Sequence, residues 1–261
     1  MDIKELKAGK SILEVDHHPW ELARFTVVYD IIRKQISVNN LENIVDLGCG
    51  DTFFLEKLQQ KIPDGTFHGI DIAFDDELLT FLSEKLKDKN IFLYSNYQSL
   101  AEKKIVADLI LLLDVIEHIK DDLQFMSELR DNTIINEDTR ILITVPAFES
   151  LSTSRDKWLG HFRRYTAGTL TNMLNRAGFE VLRKGYFFSS LVFPRYLQKI
   201  SEKARKPMEE AISGIGNYRA KPFIDPLMKN VMIFDYKLTR LLSSLGIHVP
   251  GLSCFAICKR K

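Results

Sequence analysis

Short, almost wholly apolar runs alternate with longer stretches in which apolar residues recur every three or four positions, from residue 43 to residue 188. Apolar runs of four to eight residues bounded by turn formers read as buried strands, and the 3.6-residue period reads as helices packed on them. Strands are predicted over residues 44–47, 66–72, 91–94, 107–114 and 140–145, with a sixth starting at 179–182 and a seventh over 252–258. The fourth, nearly all leucine and isoleucine, has the composition of a central parallel strand covered on both faces. Pro146 stops the fifth, because it cannot continue a central ladder. One helix starts at Phe53, and another spans about 75–87, with Leu78, Leu79, Leu82 and Leu86 as its apolar positions. A third runs from an N-cap at Thr166 through Leu170, Met173, Leu174 and Ala177 to Gly178. Strands alternating with helices give an α/β protein with a doubly wound parallel sheet.

Residues 191–250 interrupt the alternation. They contain two predicted helices around the turn-rich Ser213, Gly214, Ile215, Gly216 and Asn217. The second, about 226–245, places Leu227, Val231, Phe234, Leu238 and Leu241 near one face. The expected organisation is a core over 1–190 with a helical lead-in, an insertion or lid over 191–250, and a terminal strand over 251–261. With 261 residues, 45% of them hydrophobic, the chain is long enough to bury a full core.

Lysine plus arginine number 36 and aspartate plus glutamate 35, a balance with no general drive toward nucleic acid. Basic residues do gather at Arg195, Lys199, Lys203, Arg205, Lys206, Arg219 and Lys221 and at the last three positions. Such runs are usually solvated faces; an acidic partner or a membrane surface is the alternative. Next to the apolar face of the second helix, they make a lid for a lipid-like substrate a hypothesis to test. Three cysteines give no disulfide framework, and Cys254 and Cys258 share a strand face without being placed to bridge. The start of the chain has no signal-peptide apolar region, so a reducing cytoplasm is expected.

The chemistry begins at the end of the first strand. Gly48 and Gly50 let backbone N–H groups approach a ligand, and the helix from Phe53 points its positive end at the same spot. An acid inside a strand, Asp46, is costly unless it binds loop amides or faces a cationic ligand. Phe53 stands where a dinucleotide-binding turn needs its third glycine, which argues against nicotinamide dinucleotides. The run Val45, Asp46, Leu47, Gly48, Cys49, Gly50 resembles the first motif of class I S-adenosylmethionine-dependent methyltransferases; many members have a further glycine where Thr52 stands. That resemblance implies a seven-stranded Rossmann-like methyltransferase sheet, with its last strand antiparallel and a helical insertion before it.

It also implies a cofactor site. Asp46, Gly48, Cys49 and Gly50 form the cradle, and Asp71, with Ile72 beside it, lies at the spacing of a ribose-binding carboxylate. Asn96 stands where relatives carry an adenine-binding aspartate, and its carbonyl is still an acceptor. Tyr97 could cover the ring. Asp16, His17, His18, Pro19, Trp20 and Arg24 resemble a lead-in that covers the pocket, Trp20 closing it and Arg24 reaching the methionine carboxylate. The paired histidines are a weak metal motif, lacking a spaced partner.

The fourth strand runs into Asp114, Glu117 and His118, resembling the family's fourth motif at the carboxyl edge of the sheet. A general base, a divalent metal site or an orienting role are the readings for these three side chains. Ubiquinone-pathway O-methyltransferases and small-RNA 2′-O-methyltransferases resemble the chain here and use such a cluster for metal. In this chain the first acid is Asp114, and only His161 offers a second imidazole. The expectation is therefore no metal and a cofactor-orienting role for Asp114.

Residues 155–166, with Gly160, His161, Phe162, Arg163, Arg164 and Tyr165, resemble a bacterial methyltransferase subgroup in which this run lies over the active site. His161 is the preferred base, with His118, Glu117 and Tyr165 as further catalytic candidates. Arg163 and Arg164 suit an anionic acceptor. The expected activity is methyl transfer to a small molecule, most readily at a hydroxyl oxygen; the alternative is a non-catalytic module of the same fold.

Overall fold

The structure is a computed structural model and describes residues 16–204 and 219–261. The turn at 213–217, Arg205 and Lys206 lie outside the described residues. Helix α1, Pro19–Gln35, leads into β1, Asn43–Leu47. Then follow α2 (Phe53–Gln59), β2 (Thr66–Ile70), α3 (Asp76–Lys85), β3 (Ile91–Tyr94), α4 (Gln98–Glu102) and β4 (Leu109–Leu113). The second half contains α5 (Asp122–Arg130), β5 (Arg140–Pro146), α6 (Ser154–Leu159), α7 (Ala167–Arg176) and β6 (Phe179–Phe187). The insertion supplies α8 (Val192–Ala204) and α9 (Ile224–Ser244) before β7, Ser253–Arg260.

The seven strands order as β3-β2-β1-β4-β5-β7-β6. The first five pair in parallel, and β7 lies antiparallel between β5 and β6. Strand order reverses between β1 and β4, and open α/β sheets bind ligands at the carboxyl ends beside such a switch point. Every residue of β4 is buried, as its unbroken apolar run requires.

Two apolar layers cover the sheet. One joins Val27 and Ile31 of α1, Leu55 and Leu58 of α2, Leu82 of α3 and Met232 of α9. The other joins Leu100 of α4, Met126 and Leu129 of α5, and Leu170 and Leu174 of α7. The predicted cap at Thr166 forms, its side chain accepting from the Thr169 N–H. Residues 149–165 contain more order than a loop: a short 3-10 turn and then α6, opened by a reciprocal cap between Thr153 and Asp156.

Candidate active site

The glycine turn is built as the end of β1 demands. Gly48 and Gly50 have φ of 80° and 56°, and a Cβ on Gly48 would meet Val115 Cγ2 at 2.7 Å. Gly48 and Cys49 both donate their N–H groups to the Ile70 carbonyl, at 2.7 and 3.1 Å. Asp71 then joins turn to strand, its two oxygens accepting from Gly50 N and Ala73 N, each at 2.9 Å. Cys49 turns its side chain inward, close to where a Cβ on Gly69 would stand. Gly69 therefore supplies the tight helix–strand approach, on β2 and not on the helix side of the turn.

Asp46 is fully buried, and its Oδ1 has no hydrogen-bond partner among the described residues. Burial pushes its carboxyl up to about 7, Arg24 opposing the rise and the Asp71 charge adding to it. An acid whose folded pKa is raised destabilises the fold progressively as pH climbs from its unfolded value of 3.8 to about 7. Asp46→Asn is therefore expected to match the parent near pH 4 and to gain on the order of 4 kcal/mol above pH 7. Melting curves at both pH values check this, the gain appearing as roughly 10 °C.

Across the switch point, Asp114 ends β4 with φ 59°, a left-handed conformation unusual for aspartate. Arg24 Nη2 reaches Asp114 Oδ2 at 2.9 Å and Thr144 Oγ1 at 3.0 Å, and Thr144 donates to Asp114 Oδ1 at 3.2 Å. The Arg24 guanidinium also lies 5.2 Å over the Trp20 ring. This triangle fastens α1 to β4 and β5.

Just beyond, Glu117, His118 and His161 place ligand-type atoms within 4.8 Å of one another. The His118 and His161 rings meet edge to face at 4.5 Å. Glu117 is fully buried, and neither oxygen has a hydrogen-bond partner among the described residues. Burial first, then the Asp114 charge, raises its pKa well above the carboxylate range. A neutral acid or a cation beside it each satisfies that chemistry. A second such group, His17, Glu21 and Asp51, forms where His17 stacks on Phe53 at 3.7 Å. The spaced partner absent from the sequence reading of the histidine pair is Glu21, one helical turn away.

His161 Nδ1 lies 3.2 Å from Asp156 Oδ1. Asp156 also accepts from Arg164 Nη2 and Arg195 Nη2, each at 2.6 Å, and from the Thr153 N–H at 2.8 Å.

Residues 23–184 match the family described as a methyltransferase domain. The chain belongs to that family. It is a class I methyltransferase, and its cofactor is S-adenosylmethionine. No curated protein matches the sequence. Among solved structures, coclaurine N-methyltransferase, bound to N-methylheliamine and SAH, is 14% identical, with a TM-score of 0.56 over 100% of this chain and 79% of that one. An O-methyltransferase from a trans-AT PKS multienzyme of Brevibacillus brevis, in complex with S-adenosyl-L-homocysteine, is 12% identical, with a TM-score of 0.54 over 92% and 76%. The [4+2]-cyclase SpnF is 13% identical, with a TM-score of 0.56 over 96% and 85%. At such identities the likeness is one of fold.

The residues of this methyltransferase fit its cofactor. The orphan Asp46 oxygen, the glycine turn and the carboxylate of Asp71 lie on β1, its turn and the end of β2, beside the switch point. Next to Asp71, Ile72 is 92% exposed. Asn96 is already partly engaged: its Oδ1 accepts from Ser99 N and Ser99 Oγ at 3.2 and 3.3 Å. Tyr97 lies half-buried against the second apolar layer.

Three expected substrate-side groups face inward in the methyltransferase. Tyr165 is buried and donates its hydroxyl to Asp122 at 2.6 Å. Burial and that carboxylate drive its pKa far up, so it holds the segment in place and is no ready acid or base. Arg163 pairs with Asp122 at 2.7 Å and donates to the Lys120 carbonyl. Arg164 is buried against Asp156 and the Ala147 carbonyl. Both arginines are structural in this state, each having found an internal acceptor before any substrate. Thr144, Asp156 and Asp122, which organise the site, were absent from the sequence reading. Only Asp156 carried a local signal, the Thr153-to-Asp156 capping spacing.

Proposed function

We propose that the chain methylates a hydroxyl oxygen of a small acceptor, with His161 as the general base. The observation that carries this is the pairing of His161 with Asp156 beside His118, an imidazole oriented by a carboxylate at the carboxyl edge of the sheet. S-adenosylmethionine supplies an electrophilic methyl on a sulfonium, open to in-line displacement.

Asp71 accepts both ribose hydroxyls, its carboxylate standing just past β2 at the spacing of a ribose-binding acid after the glycine turn. Asn96 meets the adenine amino group when its Oδ1 releases the Ser99 hydroxyl, while Ile72 and Tyr97 flank the ring. The turn from Gly48 to Gly50 cradles the methionine portion, and Asp46 beneath it answers that portion's cationic end. Arg24 has donors enough to hold Asp114 and also the cofactor carboxylate, with Trp20 beneath it. Asp114 and Glu117 shape the floor. Asp156 fixes Nδ1 of His161, leaving Nε2 to take the proton of an acceptor hydroxyl whose oxygen would receive the methyl group of the bound cofactor. The unpartnered Glu117 oxygens beside two imidazoles also suit a divalent cation; it would occupy His161 Nε2 and lower the hydroxyl's pKa in place of a base.

Oxygen is favoured as the acceptor atom because a base beside the site is chiefly useful for a hydroxyl. The alternative, a non-catalytic module, is opposed by Asp46, Gly48, Gly50 and Asp71 being intact. Calorimetry should detect S-adenosylmethionine and not NADH; silence at millimolar ligand sinks the proposal. His161→Ala should keep cofactor affinity and lower S-adenosylhomocysteine release on a hydroxylated acceptor by ~100-fold. Unchanged release with that acceptor removes His161 as base.

A further inference from the structure

Helix α9 has two faces of different fate. Met232, Tyr236 and Thr239 are buried, and Tyr236 donates to Asp30 of α1 at 3.0 Å. The opposite side carries Leu227, Val231, Phe234, Leu238, Leu241 and Leu245 at alternating steps of four and three residues, all exposed, Phe234 at 66%. Nothing among the described residues covers this stripe. A second exposed apolar edge lies on α8, at Phe193, Leu197 and Ile200, with Phe193 67% exposed. An unbroken apolar row along an exposed helix face marks an interaction site, unlike scattered surface leucines.

Charge selects the occupant. Residues 191–250 hold ten lysines and arginines against five acids, while the rest of the chain holds 26 against 30. Arg219, Lys221, Lys237 and Arg240 are exposed on or just before α9. Two copies meeting through this surface would bring like charges together, which opposes association. An anionic lipid surface meets both features, taking up the apolar stripe and pairing with the lysines. No helix among the described residues is long and apolar enough to cross a membrane, so contact is along the surface.

We infer that α8 and α9 dock this protein on an anionic lipid bilayer. Each helix is fastened to an element of the candidate site. Arg195 of α8 binds Asp156, Lys199 donates to the Ser150 carbonyl at 2.7 Å, and Glu202 accepts from the Ser154 N–H at 3.0 Å. On α9, Tyr236 and Arg240 both bind Asp30 of α1, the helix that carries Trp20 and Arg24. Bilayer contact is therefore linked through Asp156 to His161 and through Asp30 to the helix of Arg24.

The full chain should float with phosphatidylcholine vesicles containing about a quarter phosphatidylglycerol, and not with phosphatidylcholine alone. Added salt should release it. Phe234→Asp with Leu241→Asp should cut partitioning at least ~10-fold, and Lys221→Glu with Lys237→Glu several-fold. Melting temperature and cofactor affinity without lipid should stay at parental values in both double variants. Cofactor calorimetry reports on the methyltransferase reading separately, so the two can fail independently. Absence of flotation overturns the inference. So does a fall in melting temperature on Phe234→Asp, which would mean the chain covers the stripe itself. A dimer in light scattering, dissociated by the same aspartates while vesicles stay bare, assigns the stripe to a second copy instead.

Discussion

Asp71→Ala is expected to weaken S-adenosylmethionine binding by roughly 100-fold or more, measured by calorimetry. Hydrogen bonds to a charged group are worth about 1.5–3 kcal/mol each, and the proposed ribose contact contains two. The same carboxylate accepts from Gly50 N and Ala73 N at 2.9 Å, so its loss also frees the glycine turn from the end of β2. Asp71→Asn separates the two effects. Its remaining carbonyl can keep one backbone bond, while its amide can only donate where the second N–H once donated. An intermediate affinity for Asn and a near-complete loss for Ala would fit both roles. If Asp71→Ala bound the cofactor as the parent does, the ribose assignment would be lost, and with it the orientation of the whole ligand in the pocket.

What was legible in the sequence and what was not divides by range. The strand–turn–strand spine from Asp46 to Asp71 could be read because strands are short apolar runs, and because Gly48 and Gly50 break one where a ligand must approach. The antiparallel insertion of the seventh strand followed from the methyltransferase resemblance, since a run such as residues 252–258 carries no mark of its direction. The side chains that complete the site were hidden for a different reason. Thr144 looks like any residue of a buried strand, and its importance arises only when α1 brings Arg24 to it across 120 positions of sequence. Asp122 and Asp156 similarly draw their roles from partners in other elements, Tyr165 and Arg163 for one, Arg195 for the other. The internal partners of Arg163 and Arg164 were hidden as well, because a guanidinium beside a pocket suits either an anion or an internal acceptor, and residue type alone does not choose. The amphipathic stripe of α9 was visible as a period. That it faces outward, away from the core, took the fold to decide.

Asp156→Ala is expected to destabilise the protein by about 3–5 kcal/mol, because it strips two largely buried arginines of the acid that both bond. Asp156 bonds Thr153, Arg164 and Arg195, and its removal leaves Arg164, whose side chain is 5% exposed, with the Ala147 carbonyl. Burial alone would raise the Asp156 pKa; His161, Arg164, the Thr153 N–H and Arg195 together hold it far below the usual carboxylate range. A carboxyl lowered in this way contributes stability that is complete above its unfolded pKa and fades as pH falls toward the folded one. The gap in melting temperature between parent and Asp156→Ala should therefore stay near 10 °C from about pH 5 to 8 and narrow below about pH 4. Asp156→Asn, which keeps one acceptor and the space but not the charge, should recover part of the loss. The same substitution frees His161 Nδ1, so any methyl transfer should fall even at temperatures where the variant is folded, with cofactor affinity retained. A variant that melts like the parent would mean that the two arginines are satisfied by solvent and neighbouring carbonyls, and that His161 is held by its contact with His118 alone.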